Sequence, residues 1–360
     1  MNFFRNILLI VLKCKIVTDL FNKILMFCLI FFIPLHGFAK ESKYHSGHHR
    51  VSIYFENDFI VGNDEQYTNE FKLTWSRYGL SELPEDAWTH KWLYPVVKFI
   101  NFYDSKFEKI LTFSVGQSMF TPDKLDTSEL VINDRPYAGI TYCQIGFHKK
   151  SNNYMHTIGL YAGIVGPHSY AEKVQVNVHN LLAITKPRGW DNQLRDEPVI
   201  GLVCNYKNKL AAFSINSGFG GDIIFNTGGS LSNAMTFYKI GLLARYGWNV
   251  PNDYGNFPIQ VATCFNAERE ELNSHKQRFG MHMFFSAGSR VVFRNIFLDG
   301  NTFRDSHSVE KEPVLGIFSG GIGLITGQVK TVLMYIYQTK SFKCQKSPQR
   351  FGSINISYQY

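Results

Sequence analysis

Apolar and polar side chains alternate one by one along most of this chain, the period of a strand with one greasy face rather than the period of about 3.6 that marks a helix. Between Thr68 and Trp75, Phe71, Leu73 and Trp75 are apolar, whereas Thr68, Glu70, Lys72 and Thr74 are polar. Leu111, Phe113 and Val115 alternate with Thr112, Ser114 and Gly116, and Ile158, Leu160, Ala162 and Ile164 with Thr157, Gly159, Tyr161 and Gly163. Tyr238, Ile240, Leu242, Ala244 and Tyr246 face away from Lys239, Gly241 and Arg245. The last segment repeats the rule, Ile354, Ile356, Tyr358 and Tyr360 opposing Ser353, Asn355, Ser357 and Gln359. The pattern predicts strands over 50–58, 67–78, 110–119, 136–148, 154–165, 198–207, 209–218, 234–247, 281–296, 312–325, 328–340 and 350–360. That is an even number, as closed single-chain membrane barrels have, although a soluble sandwich alternates as well.

The period changes between 166 and 197, where Tyr170, Val174, Val178, Leu181 and Leu182 recur at helical spacing and predict a helix over Ser169 to Ile184. Ser169 with Glu172 three residues later has the form of a capping box, and Pro187 and Gly189 end the element. The connections 80–109 and 248–280 show no clear period.

At the N-terminus, Lys23 precedes the apolar run Ile24 to Ile33, and Gly37-Phe38-Ala39 supplies small residues ahead of Lys40. This reads as a signal peptide over 1–39 followed by one barrel domain over 40–360; the run is short for a membrane anchor. Beyond it no apolar stretch approaches the roughly 18 residues a membrane helix needs, so a membrane-spanning reading requires a closed barrel, an all-β fold of twelve antiparallel strands. A chain that is 45% hydrophobic and 18% charged is too apolar to be disordered. Its formal charge of +8 suits either nucleic acid or phosphorylated lipid. The basic residues are scattered, with no Lys/Arg block interleaved with aromatics, so no nucleic-acid partner is expected. Cys143, Cys204, Cys264 and Cys344 lack ligand spacing and read as free cysteines.

Four clusters could carry chemistry. Glu56-Asn57-Asp58-Phe59 closes the first strand and Tyr67-Thr68-Asn69 opens the second, so a hairpin would gather an amide, a carboxylate and a hydroxyl at one rim; ordinary turn chemistry uses the same residues. Gln175 and His179, at i and i+4, share a helix face and could orient and deprotonate a water. In Asn133 to Gly139, Arg135 either binds a phosphate or carboxylate bidentately or closes a turn with Asp134. Trp190 within Gly189-Trp190-Asp191-Asn192-Gln193 is a rim anchor or a packing residue. There is no GxSxG, HExxH or Walker motif.

In order and spacing, these segments resemble the outer-membrane lipid A 3'-O-deacylase family of Gram-negative bacteria. The resemblance rests also on Gly116-Gln117, Thr121-Pro122, Val165-Gly166-Pro167, Arg245-Tyr246-Gly247 and Leu298-Asp299-Gly300-Asn301, and extends from about 51 to 303. It implies a twelve-stranded barrel with its site between the outer end of the wall and a helix from an extracellular loop. His179 would then be the general base and Asp58 the essential carboxylate, as metal ligand or as orienting group. Asn57, Thr68 and Gln175 would line the site, Ca2+ would polarise the ester, and Arg135 would meet the substrate's phosphates. The implied partner is lipid A of lipopolysaccharide in the bacterial outer membrane, and a monomer is the implied unit. The chain departs from the family pattern at Thr185, where an acidic side chain is expected, at Pro187, which replaces a tyrosine, and at Glu70, which replaces a glycine. The alternatives are a non-catalytic barrel, pore or structural, and a phospholipase acting on glycerophospholipids.

Overall fold

A computed structural model describes residues 49–57, 69–79, 107–182, 185–215, 218–258 and 279–360. The predicted signal peptide, Asp58, Thr68 and Cys264 lie outside the described residues. The strands are β1 His49–Asn57, β2 Asn69–Tyr78, β3 Glu108–Phe120, β4 Ala138–Lys150, β5 Tyr154–Val165, β6 Glu197–Ser214, β7 Phe219–Ser232, β8 Met235–Trp248, β9 Phe279–Asn295, β10 Val314–Thr326, β11 Val329–Gln338 and β12 Gln349–Gln359. Each pairs antiparallel with its sequence neighbours, and β1 pairs with β12, from Arg50 opposite Gln359 to Asn57 opposite Gly352. Closure leaves no free sheet edge, the condition for strands to cross hydrocarbon.

The alternation decides between barrel and sandwich because it is inverted relative to a soluble fold. The buried set on β1 and β2 includes Arg50, Ser52, Tyr54, Glu56, Glu70, Lys72, Thr74 and Ser76, which face a polar interior. The exposed set elsewhere is apolar: Phe113, Val115, Ile158, Leu160, Ile240, Leu242, Met283 and Phe285. Polar side chains inside and a greasy wall outside describe a transmembrane barrel. Among the described residues no helix is long and apolar enough to cross a membrane.

The interior is cross-braced. Arg245 on β8 donates to both carboxylate oxygens of Asp222 on β7, at 2.8 and 2.6 Å. It also pairs with Asp253, which Lys330 on β11 grips from another side. Because β9 and β10 separate β8 from β11, Asp253 joins strands that do not adjoin, so the 249–258 segment enters the lumen. Tyr254 donates to the carbonyl of Ser151 at 2.7 Å and secures the same segment.

Ten of the twelve predicted strands coincide with observed ones to within a few residues; the sixth and seventh do not. The predicted strands 198–207 and 209–218 fall largely on one strand, β6, and the true seventh is β7. The polar run Asn205 to Lys209 resembles a turn, but the chain continues through a register shift between Lys209 and Ala211. In β7, Gly220, Gly221, Gly228 and Gly229 erase the alternation. Close backbone approach sets them: a Cβ on Gly220 would lie 2.7 Å from the carbonyl oxygen of Phe213, and one on Gly229 would overlap that of Phe237. Cys143 and Cys204 are free cysteines on strands; Cys344 is also free but lies in the 339–348 loop.

Candidate functional site

The odd-numbered strands end at one rim, where the longer loops 121–137, 166–196 and 296–313 emerge; the tight turns 151–153 and 327–328 occupy the other. The 166–196 loop carries helix α1, Ala171–Leu182. It packs outside the wall on β3 and β4, whose outward positions here are Gln117, Met119, Gly139 and Thr141. Gly139 makes the approach possible, since a Cβ there would overlap the Cβ of Ala171 and lie 2.5 Å from Ser169 Oγ. Gln117 Nε2 and Thr141 Oγ1 each donate to the carbonyl of Ser169 at 2.7 Å, tying the helix start to the barrel.

The predicted capping box does not form. Ser169 Oγ donates to the carbonyl of Gly166 at 2.6 Å, in a turn that Gly166 enters at φ 106°, and Glu172 accepts from Gln193 instead. The helix therefore begins at Ala171 rather than at Ser169. Ala183 and Ile184, the end of the predicted helix, lie outside the described residues.

The apolar repeat that marks the helix is not the face it buries. Ala171, Gln175 and His179 turn toward the protein, whereas Tyr170, Val174 and Leu181 are exposed. His179 is 6% exposed, and its Nδ1 lies 2.5 Å from the carbonyl oxygen of Thr185. A carbonyl only accepts, so Nδ1 carries a proton, and in the neutral ring the lone pair is then on Nε2, the tautomer a general base needs. The chain's departure at Thr185 therefore does not disturb this tautomer, because the partner is backbone.

Gln175, one turn earlier and 2% exposed, is oriented by Trp190, whose indole Nε1 donates to Gln175 Oε1 at 2.7 Å. This fixes which end of the amide points onward, and Gln175 Nε2 is buried with no hydrogen-bond partner among the described residues. Trp190 is held in a cluster with Met119, Leu125, Tyr137 and Ala171, its ring 5.1 Å from that of Tyr137. Burial pushes the pKa of the Tyr137 hydroxyl up to about 12, so it stays protonated at neutral pH. Trp190 reads from the sequence as an anchor or packing residue; its role in orienting Gln175 was missed, because no motif encodes an indole–amide contact between separate elements.

Arg135 packs on the inward side of the wall. It is 3% exposed, with Nη2 donating to Ser341 Oγ at 3.2 Å and its guanidinium carbon 5.4 Å from the Phe120 ring and 5.7 Å from the Phe342 ring. Phe120 has the inward parity of β3, whereas α1 lies on the outward side of that strand. Asp134 serves the turn, accepting from the backbone N–H groups of Asp123 at 2.9 Å and Arg135 at 2.8 Å. Glu70 is likewise interior, accepting from Tyr142 Oη at 2.6 Å. Asn57 ends β1 at the rim that carries α1, on the outward parity of its strand. Among the described residues no group of three or more His, Cys, Asp or Glu could hold a metal ion.

The sequence matches the family described as outer membrane protein LpxR over residues 24–360. No curated protein matches it. Among solved structures, LpxR from Salmonella typhimurium superposes with a TM-score of 0.68 at 15% identity, covering 86% of this chain and 100% of that one. At that identity the likeness is one of fold. The β domain of the Bordetella autotransporter BrkA gives a TM-score of 0.41 at 8% identity, covering 88% and 99%, too distant to bear on the site.

Proposed function

Because the chain belongs to the LpxR family of outer-membrane proteins, we propose that it is an esterase that removes the 3'-linked acyloxyacyl group from lipid A. Its location is the bacterial outer membrane. The observation that carries the chemistry is the His179–Thr185 contact, which sets the tautomer of the neutral ring so that Nε2 is the basic nitrogen. Nε2 takes a proton from water as the water oxygen bonds to the ester carbonyl carbon. Collapse of the tetrahedral intermediate breaks the bond to the sugar oxygen, and His179 returns the proton to that oxygen. Gln175 Nε2, preset by Trp190, is a donor available to the water or to the developing oxyanion.

Calcium enters through the family resemblance, and would supply Lewis-acid polarisation of the carbonyl when bound. The described residues offer no group of three His, Cys, Asp or Glu side chains to hold it. Asp58 is the carboxylate we assign to the metal.

The test is mass spectrometry of lipid A from cells expressing the wild type, His179→Ala and Asp58→Ala, with Ca2+ or with a chelator. Loss of the 3'-acyl mass in the wild type alone supports the proposal. Unchanged lipid A with a folded barrel refutes it, and glycerophospholipids cleaved in the same extracts would replace it with the phospholipase reading.

A further inference from the structure

Helix α1 has three faces. At about 100° per residue, Val174, Val178 and Leu181 fall within an arc of about 60°, centred about 90° from the buried arc of Ala171, Gln175 and His179. Tyr170, immediately before the first turn, is exposed as well. Glu172, Lys173, Asn177 and Asn180 occupy the remaining arc and are exposed. Val176, half-buried, is apolar but falls on this polar arc. Leu181 is 55% exposed, so the apolar arc is not covered by the described protein.

Two observations indicate what covers it. The helix sits on β3 and β4, whose outward side chains Phe113, Val115 and Cys143 are exposed on the membrane-facing wall, so α1 adjoins an existing lipid surface. Lys173 Nζ lies 4.9 Å from the Tyr170 ring, the arrangement of a cation and an aromatic at a membrane interface. A helix with one apolar and one polar face lies in the interface plane.

We propose that Tyr170, Val174, Val178 and Leu181 seat α1 among the acyl chains of bulk membrane lipid. The helix would then hold His179 at the depth where acyl chains meet headgroups, so that an ester at this boundary is reached from the side without leaving the membrane. The proposal rests on the membrane placement of the barrel and is independent of the hydrolytic reading.

The test uses the full chain with its own cysteines replaced by serine, carrying a bimane label at Leu181→Cys, Val174→Cys, Asn180→Cys or Asn177→Cys. Each barrel is reconstituted in phosphatidylcholine vesicles without lipid A, and folding is checked by heat-modifiable gel mobility. Acyl-brominated lipid is expected to quench positions 181 and 174 several-fold more than 180 and 177, with aqueous iodide giving the reverse order. Equal iodide quenching at all four positions would overturn the proposal, as would protection of 181 and 174 from both quenchers. Bromolipid quenching that appears only when lipid A is added would assign the face to substrate chains and overturn it too. None of these readouts requires turnover, so failure here is distinct from failure of the esterase reading.

Discussion

Trp190→Phe tests the site where its geometry is most specific. Phenylalanine keeps an aromatic ring against Tyr137 and Met119 but removes the indole N–H that donates to Gln175 Oε1 at 2.7 Å. That oxygen is then buried without its donor, a loss of about 1–3 kcal/mol, and the amide is free to turn its Nε2 away. If this orientation is used only in the transition state, kcat falls roughly fivefold to a hundredfold with little change in KM. The assay is a time course of 3'-acyl release from purified lipid A, with heat-modifiable mobility as the folding control. Gln175→Ala and Trp190→Phe should be non-additive, the double variant matching Gln175→Ala, because both remove one oriented donor. Full activity in Trp190→Phe, or additive losses, would refute the reasoning.

Gly139→Val places a side chain where even a Cβ would overlap that of Ala171, so α1 should lift from the wall; activity is lost while the barrel folds, and limited proteolysis within 166–196 quickens. Asp253→Ala leaves Arg245 and Lys330 without their shared carboxylate, so single-channel recordings should show several-fold higher conductance than wild type, with unfolding easier by about 3–5 kcal/mol. Partial burial raises the Asp196 carboxyl, but hydrogen bonds from His168 outweigh it and hold the pKa below its ordinary value. The contact therefore stabilises the 166–169 turn above the ordinary carboxylate value and is lost as pH falls through the lower one, by under about 1 kcal/mol at this exposed site; hydrogen exchange at His168 measures it, and Asp196→Asn removes the pH dependence. Chelation should abolish acyl release and added Ca2+ restore it; release unchanged in chelator would remove the metal from the proposal.

The strands were legible because a barrel in lipid enforces alternation: every second side chain meets hydrocarbon and the others a polar interior. Legibility failed at β7, where close backbone approach selects glycine and a glycine has no polarity to read. It failed at β6, where a register shift coincides with a polar run. Helical spacing showed which residues share a face of α1 but not which medium that face meets, so the buried polar face and exposed apolar face could not be told from the reverse. Gln175 and His179 were legible as an i, i+4 pair. The carbonyl of Thr185 was not, because backbone acceptors carry no residue signature.

Arg135 shows what separates the two sides of the wall. It lies in the turn before β4, where no alternation fixes its side, and it packs inward against Phe120. Gln117 and Thr141, on β3 and β4 with outward parity, instead hold α1. Glu70 and Tyr142 bond inside, and Gly139 meets Ala171 outside. A shift of one residue exchanges the faces, so register alone decides whether a side chain serves the lumen or the outer surface. His179 belongs to the outer surface, and the lumen is crossed by Asp253 between Arg245 and Lys330. Under the proposed function a lipid would therefore reach His179 laterally from the bilayer, with the polar interior bracing the wall that carries it.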